Sequence, residues 1–280
     1  MEDSASFARL IGAVRPWLGH LVIVGGWAHR LHRCHSRAGK PTYLPLRTRD
    51  VDIALSLHAP LDGNIREALE HAGFSHIFRG DATPPVTHYH LGDDAGFYAE
   101  FLVPLHGGEL KRNGTPDVTV AKAGINAQKL PYLDLLLISP WSVRAGSEVD
   151  VPLNPPTDVL LPNPVSFIVQ KLLIHDKRPL NKKAQDLLYI HDTLELFGGA
   201  VEDLRRLWID QLRPAMPAKT AGRAETLART LFEHVTDPIR EAARIPQDRR
   251  LTPDGVRGTC EYGLSEILGA EGLKILANPR

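Results

Sequence analysis

Three carboxylates and a pair of glycines are the residues of this chain whose types and spacing can do chemistry. Asp50 and Asp52 stand two apart in Asp50-Val-Asp-Ile-Ala-Leu-Ser-Leu57, a run that is otherwise apolar and reads as a strand. Side chains two apart on a strand project from the same face. Two carboxylates placed side by side repel, so they are either well solvated at a strand end or neutralised by a cation. Hard oxygen ligands of this kind suit Mg²⁺, which takes one or two carboxylates together with substrate phosphates. Glu100 lies inside Phe97-Tyr-Ala-Glu-Phe-Leu-Val103. A lone carboxylate is costly in such an apolar strand unless it is paired or metal-bound; the alternative is an edge-strand Glu facing water. Gly25-Gly26 offers backbone N–H groups a close approach to a phosphate at the start of a helix, although Gly-Gly also serves as a plain turn.

The elements that must position these residues follow from periodicity. Phe7 to Leu18 carries apolar residues at helical spacing. Leu21-Val-Ile-Val24 is a buried strand stopped by Gly25-Gly26, and Trp27 to His35 is a helix opening at that turn. Arg37 to Pro45, with Gly39, Pro41 and Pro45, is a loop. Gly63 to Ala72 is a helix ended by Gly73. His88-Tyr-His-Leu91 pairs with Phe97 to Val103 through Gly92-Asp-Asp-Ala-Gly96, where turn chemistry accounts for Asp93 and Asp94. From Val149 to Pro164 the chain holds Pro152, Pro155, Pro156, Pro162 and Pro164, and marks a boundary or a strand-like connector. Asn163-Pro164 then offers an N-cap and a first-turn proline. Helical patterns follow at 165–175, 182–197, 201–212, 221–235 and 262–268. The expectation is two domains: an α/β part over 1–160 and an all-helical part over 161–280.

Composition narrows the classes. The 33 Lys+Arg balance 33 Asp+Glu, so no overall basic field announces a nucleic-acid binder. Cys34 and Cys260 are too few for a disulfide framework and read as reduced thiols. The start, Met1-Glu-Asp-Ser-Ala, lacks the pattern of a signal peptide, and no run approaches the ~20 apolar residues of a membrane span. A cytoplasmic protein is the expectation.

With these residues in view, the chain resembles the nucleotidyltransferase superfamily of DNA polymerase β-like folds. The pattern is a strand, a Gly-Gly turn opening a helix, a D-x-D strand, and a further acid on a neighbouring strand: here Gly25, Gly26, Asp50, Asp52 and Glu100. It is closest to the bacterial members that include the AbiE-type toxins, whose T-x-D-[VI]-D phrasing stands here as Thr48-Arg-Asp-Val-Asp52. Their V-D-F-L-x-P phrasing stands here as Ala99-Glu-Phe-Leu-Val-Pro104. Val149-x-Val-Pro152, Pro164-x-x-Phe167, Gln170-Lys-Leu-Leu173 and the Lys182-Lys183…Asp186 helix extend the likeness to about residue 200. Two departures stand out. The stretch from Gly26 to Asp50 is longer than in compact members, and the third acid is Glu rather than the commoner Asp.

The resemblance implies a mixed-sheet catalytic core followed by a helical domain that completes the cleft. It implies transfer of an NMP from an NTP such as ATP to a hydroxyl of RNA, protein or a small molecule. Two Mg²⁺ ions, or Mn²⁺ in their place, would be held by Asp50, Asp52 and Glu100. Glu100 would also be placed to take the acceptor proton. Gly25 and Gly26 would hold the phosphates, with Lys171 and Lys182 or Lys183 as triphosphate contacts and Arg47 and Arg49 beside acceptor or phosphates. The toxin-like relatives imply tRNA or a protein as acceptor and an antitoxin as partner. A non-catalytic nucleotide- or partner-binding protein on the same fold is the competing expectation.

His29, His32 and His35 invite a zinc reading and a third function, a zinc hydrolase. On a helix their first and last members diverge by about 120°, and no fourth ligand lies at zinc spacing. His88 and His90 share a strand face without partners in sequence, which favours packing. No G-x-S-x-G and no Walker A run occurs, so serine hydrolase and P-loop chemistry are unsupported.

Overall fold

The computed structural model describes residues 2–79, 86–92, 96–107, 119–146 and 151–269. The chain divides into two compact units, one of residues 1–35 and 47–162, the other of residues 36–46 and 163–280.

The first unit is mixed α/β. Its elements are α1 (Glu2–Ala13), β1 (Leu21–Val24), α2 (Gly25–Leu31), β2 (Asp50–Leu55), α3 (Ile65–His71), β3 (Phe74–Arg79), β4 (Val86–Leu91) and β5 (Phe97–Pro104). They are followed by β6 (Thr119–Lys122), β7 (Ile125–Leu130), β8 (Trp141–Ala145) and β9 (Thr157–Leu161). Strand order is β3-β4-β5-β2-β1-β9-β8, with β7 joining β5 and β6 joining β7. The sheet is mixed: β2–β5, β1–β9 and β5–β7 run parallel, and the other neighbours run antiparallel.

Alternation sorts the sheet's residues between two faces. Val51, Ile53, Ala99, Phe101 and Val103 point one way and are fully buried. On that side Phe7 stacks on Trp27 at 4.0 Å between ring centroids, and Trp27 meets Phe97 edge-on at 6.3 Å. Each buried ring of this kind contributes roughly 1.5–3 kcal/mol. The other face is divided. Val22, Val24, Ala54 and Leu102 pack under Leu133 and Leu136, which belong to the apolar run around the 3₁₀ turn Asp134–Leu137. Beyond that lid, the same face carries Asp50, Asp52, Tyr98, Glu100, His88 and His90.

Several elements differ from the sequence reading. Helix α1 ends at Ala13 rather than Leu18, because Arg15-Pro16 opens a separate 3₁₀ turn, Arg15–His20. The proline-rich connector contributes β9, which lies beside β1. Strands β3, β6, β7 and β8 were not foreseen. Residues 93–94, the expected acidic turn, lie outside the described residues.

The second unit is helical: α4 (Pro164–Ile174), α5 (Leu180–Leu196), α6 (Val201–Arg206), a π-helical stretch Leu207–Leu212, and α7 (Arg213–Ala215). The rest is α8 (Ala218–Thr230), α9 (Asp237–Arg244) and α10 (Pro253–Leu268). Asn163 caps α4 by accepting from Ser166 N at 2.9 Å, with Pro164 in the first turn. Helix α9 was not foreseen, and α10 begins nine residues before the expected 262. Residues 36–46 pack here. Gly39 N donates to Leu196 O at 2.7 Å, Arg37 pairs with Asp203 at 2.9 Å, and Leu44 N donates to Asp248. The Arg249 guanidinium lies 3.4 Å from the Tyr43 ring centroid. No described helix is long and apolar enough to cross a membrane.

Candidate active site

Strand register builds the site. Parallel pairing of β2 with β5 sets Asp52 opposite Glu100 and Asp50 opposite Tyr98. Antiparallel pairing of β4 with β5 sets His90 opposite Tyr98, and one step on, His88 reaches Glu100. The face thus carries two cross-strand rows, Asp52-Glu100-His88 and Asp50-Tyr98-His90.

Gly25 closes the site from the side of β1. Val24 pairs with Asp52, and the chain turns into α2 at Gly25 with φ +64°. A Cβ on Gly25 would lie 2.2 Å from Asp52 Oδ2. The backbone here therefore needs glycine twice over, for its left-handed conformation and for the approach of the carboxylate. Thr48 Oγ1 donates to Asp50 Oδ1, which orients that carboxylate from the residue two before it.

Electrostatics separate Glu100 from its neighbours. Burial, then the fields of Asp52 and Asp50, push its carboxyl from 4.5 up to about 8. That corresponds to a penalty on the order of 5 kcal/mol on the ionised group, with burial the largest part. His88 Nε2 lies 2.9 Å from Glu100 Oε1, with both side chains 17% exposed. Its ring stacks on Tyr98 at 4.5 Å and 17°, and His90 stacks on Tyr98 at 5.2 Å. Burial, His90 and Arg79 lower the pKa of His88. Burial and the two aspartates with Glu100 raise that of Tyr98.

Of the residues expected from sequence, Gly25, Asp50, Asp52 and Glu100 come together on this face, with Gly26 next in the turn. Arg47 and Arg49 are exposed on the segment leading into β2, and Arg49 O accepts from Tyr98 N at 3.4 Å. Lys171, Lys182 and Lys183 stand in the other unit. Lys182 is exposed and Lys183 partly buried in the first turns of α5. Lys171 is buried, with its Nζ 2.7 Å from Asp186 Oδ1 and 4.8 Å from the Phe167 ring. Burial alone would raise the Asp186 carboxyl, but Lys171 and Arg178 outweigh it and hold it low. The Lys171 charge is thus spent on Asp186. Thr48, Tyr98 and His88 are the neighbours that sequence reasoning left out of the site; the shared strand face of His88 and His90 was the signal for the last.

The three histidines at helical spacing part company. His29 and His32 are buried, His32 Nε2 donates to Pro162 O at 2.8 Å, and His35 stacks on Trp141 at 4.0 Å. In the helical unit, His191, Asp192 and Glu195 bring ligand-type atoms within 4.8 Å of one another. There the Arg249 guanidinium already meets Asp192.

The first unit thus combines a mixed sheet, a strand bearing Asp50 and Asp52 and a turn at Gly25, and a helical region follows. A family model described as nucleotidyltransferase matches residues 2–213, and the chain belongs to that family. The chain is also similar to the crystal structure of an antigenic nucleotidyltransferase-like protein from Paracoccidioides brasiliensis. That match has 16% identity over 69% of this chain and 76% of that one, with a TM-score of 0.40. Comparison with curated proteins finds no match.

Proposed function

We propose that this protein is a Mg²⁺-dependent transferase that moves an NMP from an NTP to a hydroxyl acceptor at the face formed by Asp50, Asp52 and Glu100. The observation that carries this reading is the register of Asp52 against Glu100, with Asp50 two residues away on the same face. The donor set fits a hard cation. Burial first, and then the fields of Asp52 and Asp50, push Glu100 up to about 8, and oxygen ligands are what Mg²⁺ takes. When bound, Mg²⁺ neutralises the phosphates and activates the attacking oxygen.

The chain's own residues do the rest. Asp50, Asp52 and Glu100 hold the cations. Gly25 lets the backbone approach the Asp52 carboxylate where a side chain would clash, and the backbone N–H groups of Gly25 and Gly26 take the phosphate oxygens. Arg47 and Arg49, exposed just ahead of β2, supply positive charge for the triphosphate or acceptor. Glu100, on the same face as the two aspartates, takes the proton of the acceptor hydroxyl. The acceptor oxygen bonds the α-phosphorus as the bond to the β-phosphate oxygen breaks, and pyrophosphate leaves. Lys171 is omitted from the nucleotide contacts because it neutralises Asp186.

The test is incubation with Mg²⁺ and each α-labelled NTP, offering total tRNA and cell-lysate protein as acceptors. Label should pass to an acceptor, and Asp50→Ala or Asp52→Ala should abolish it. Tight NTP binding with no transfer would replace this reading with that of a nucleotide-binding protein on the same fold.

A further inference from the structure

Glu100 is one methylene longer than an aspartate, and its carboxyl would have more rotamers to choose from than either aspartate of the site. His88 limits that choice. Its Nε2 stands 2.9 Å from Glu100 Oε1, a hydrogen bond whichever partner carries the proton. The imidazole is itself fixed. It lies nearly parallel to the Tyr98 ring, with centroids 4.5 Å apart, and 5.5 Å from the ring of His90. His90 is 2% exposed and stacks on the same tyrosine. The three rings come from two neighbouring strands, so the clamp is built on rigid elements rather than on a loop.

We infer that His88 is a positioning residue for Glu100: clamped by Tyr98, it takes one carboxyl oxygen and presents the other towards the Asp50–Asp52 side of the face. This rests on the reading of those carboxyls as cation ligands. Partners that orient a ligating side chain commonly control affinity nearly as strongly as the ligands themselves.

The experiment is Mn²⁺ binding to the full chain, followed by the loss of the free-ion electron paramagnetic resonance signal. The variants are Asp52→Ala, His88→Phe, His88→Gln, Glu100→Gln and the double variant His88→Phe/Glu100→Gln. Phe keeps a ring against Tyr98 and removes the hydrogen bond; Gln keeps a hydrogen-bonding group. The expected result is Mn²⁺ binding weakened about 10–100-fold in His88→Phe, restored in large part by His88→Gln. No further loss should follow when His88→Phe is added to Glu100→Gln. Wild-type affinity in His88→Phe, with binding lost in Asp52→Ala, would overturn the inference alone. So would an equal loss from His88→Phe with and without Glu100, or His88→Gln as weak as His88→Phe. A wild-type protein that binds no Mn²⁺ would overturn the inference together with the reading beneath it.

Discussion

Gly25 and Asp52 are in such close approach that a methyl group on the glycine would sit 2.2 Å from the aspartate's Oδ2. The turn and the carboxylate therefore cannot be varied independently. Gly25→Ala would have to hold the left-handed conformation at a cost of about 1–2 kcal/mol and also push Asp52 aside. The expected outcome is a measurable fall in urea midpoint with label transfer down about 100-fold or more, since misplacement by an ångström has that cost. Transfer at the wild-type rate in a folded Gly25→Ala protein would show that Asp52 does not need this place.

Glu100→Gln should have opposite effects on stability and on response to metal. At pH 8 the substitution removes a carboxyl whose charge is opposed by burial and then by Asp52 and Asp50. The metal-free protein should then gain stability on the order of 2–4 kcal/mol, read as a higher melting temperature. The further rise in melting temperature that Mg²⁺ gives the wild type should be largely absent. A lower melting temperature than wild type without metal would mean that the crowding at Glu100 is relieved in some other way.

His32 should make the core sensitive to acid. Burial holds its pKa at about 4 against the ordinary 6.5, the hydrogen bond to Pro162 O opposing only in part. The folded-state value is the lower one, so the unfolded chain takes up the proton first. Stability contributed by the neutral ring is present above 6.5 and is lost as pH falls towards 4. Between pH 7 and 4.5 this amounts to about 2–3 kcal/mol, measurable by urea unfolding. His32→Phe should be less stable at pH 7 yet show a flatter pH dependence.

Lys171→Met should unfold the helical unit more readily rather than weaken nucleotide binding. It leaves Asp186, 2% exposed, with Arg178 alone, and breaking a buried pair from one side costs about 3–5 kcal/mol. Lys171→Met/Asp186→Leu should recover most of that loss. If Lys171→Met instead raised the Kd for NTP with unchanged stability, the nucleotide contact implied by the family resemblance would be reinstated.

The face that carries the site was legible in the sequence as far as alternation reaches. Asp50 and Asp52 had to share a side of one strand, and so did His88 and His90. Which residue of β5 meets which residue of β2 is a matter of register, set by long-range pairing that no local pattern encodes. That is why the Glu100–His88 contact emerged only from the fold. Strand β3 was missed because its exposed members His76 and Phe78 break the expected polar alternation. The β6–β7 hairpin was missed because Ala123-Gly124 replaces the usual Asn-Gly. Both residues have positive φ, as a two-residue hairpin turn requires, and Gly124 lies where a Cβ would strike the Asn64 side chain. In the second half, apolar spacing and the Asn163-Pro164 start announced most helices. Helix α9, with three buried residues in eight, left too narrow a stripe to stand out.

The insertion between α2 and β2 has a bearing on how such a protein can be divided. Residues 36–46 leave the α/β unit after His35, pair with Asp203, Leu196 and Asp248, and return at Arg47 just before the paired aspartates. Neither unit is a single uninterrupted stretch of chain. A protein ended at Pro162 would keep every proposed carboxylate ligand while stranding eleven residues whose anchors had been cut away. Recombination at that point would not deliver a portable catalytic cassette. The two units are interleaved in the gene, and would have to be inherited, expressed and exchanged together.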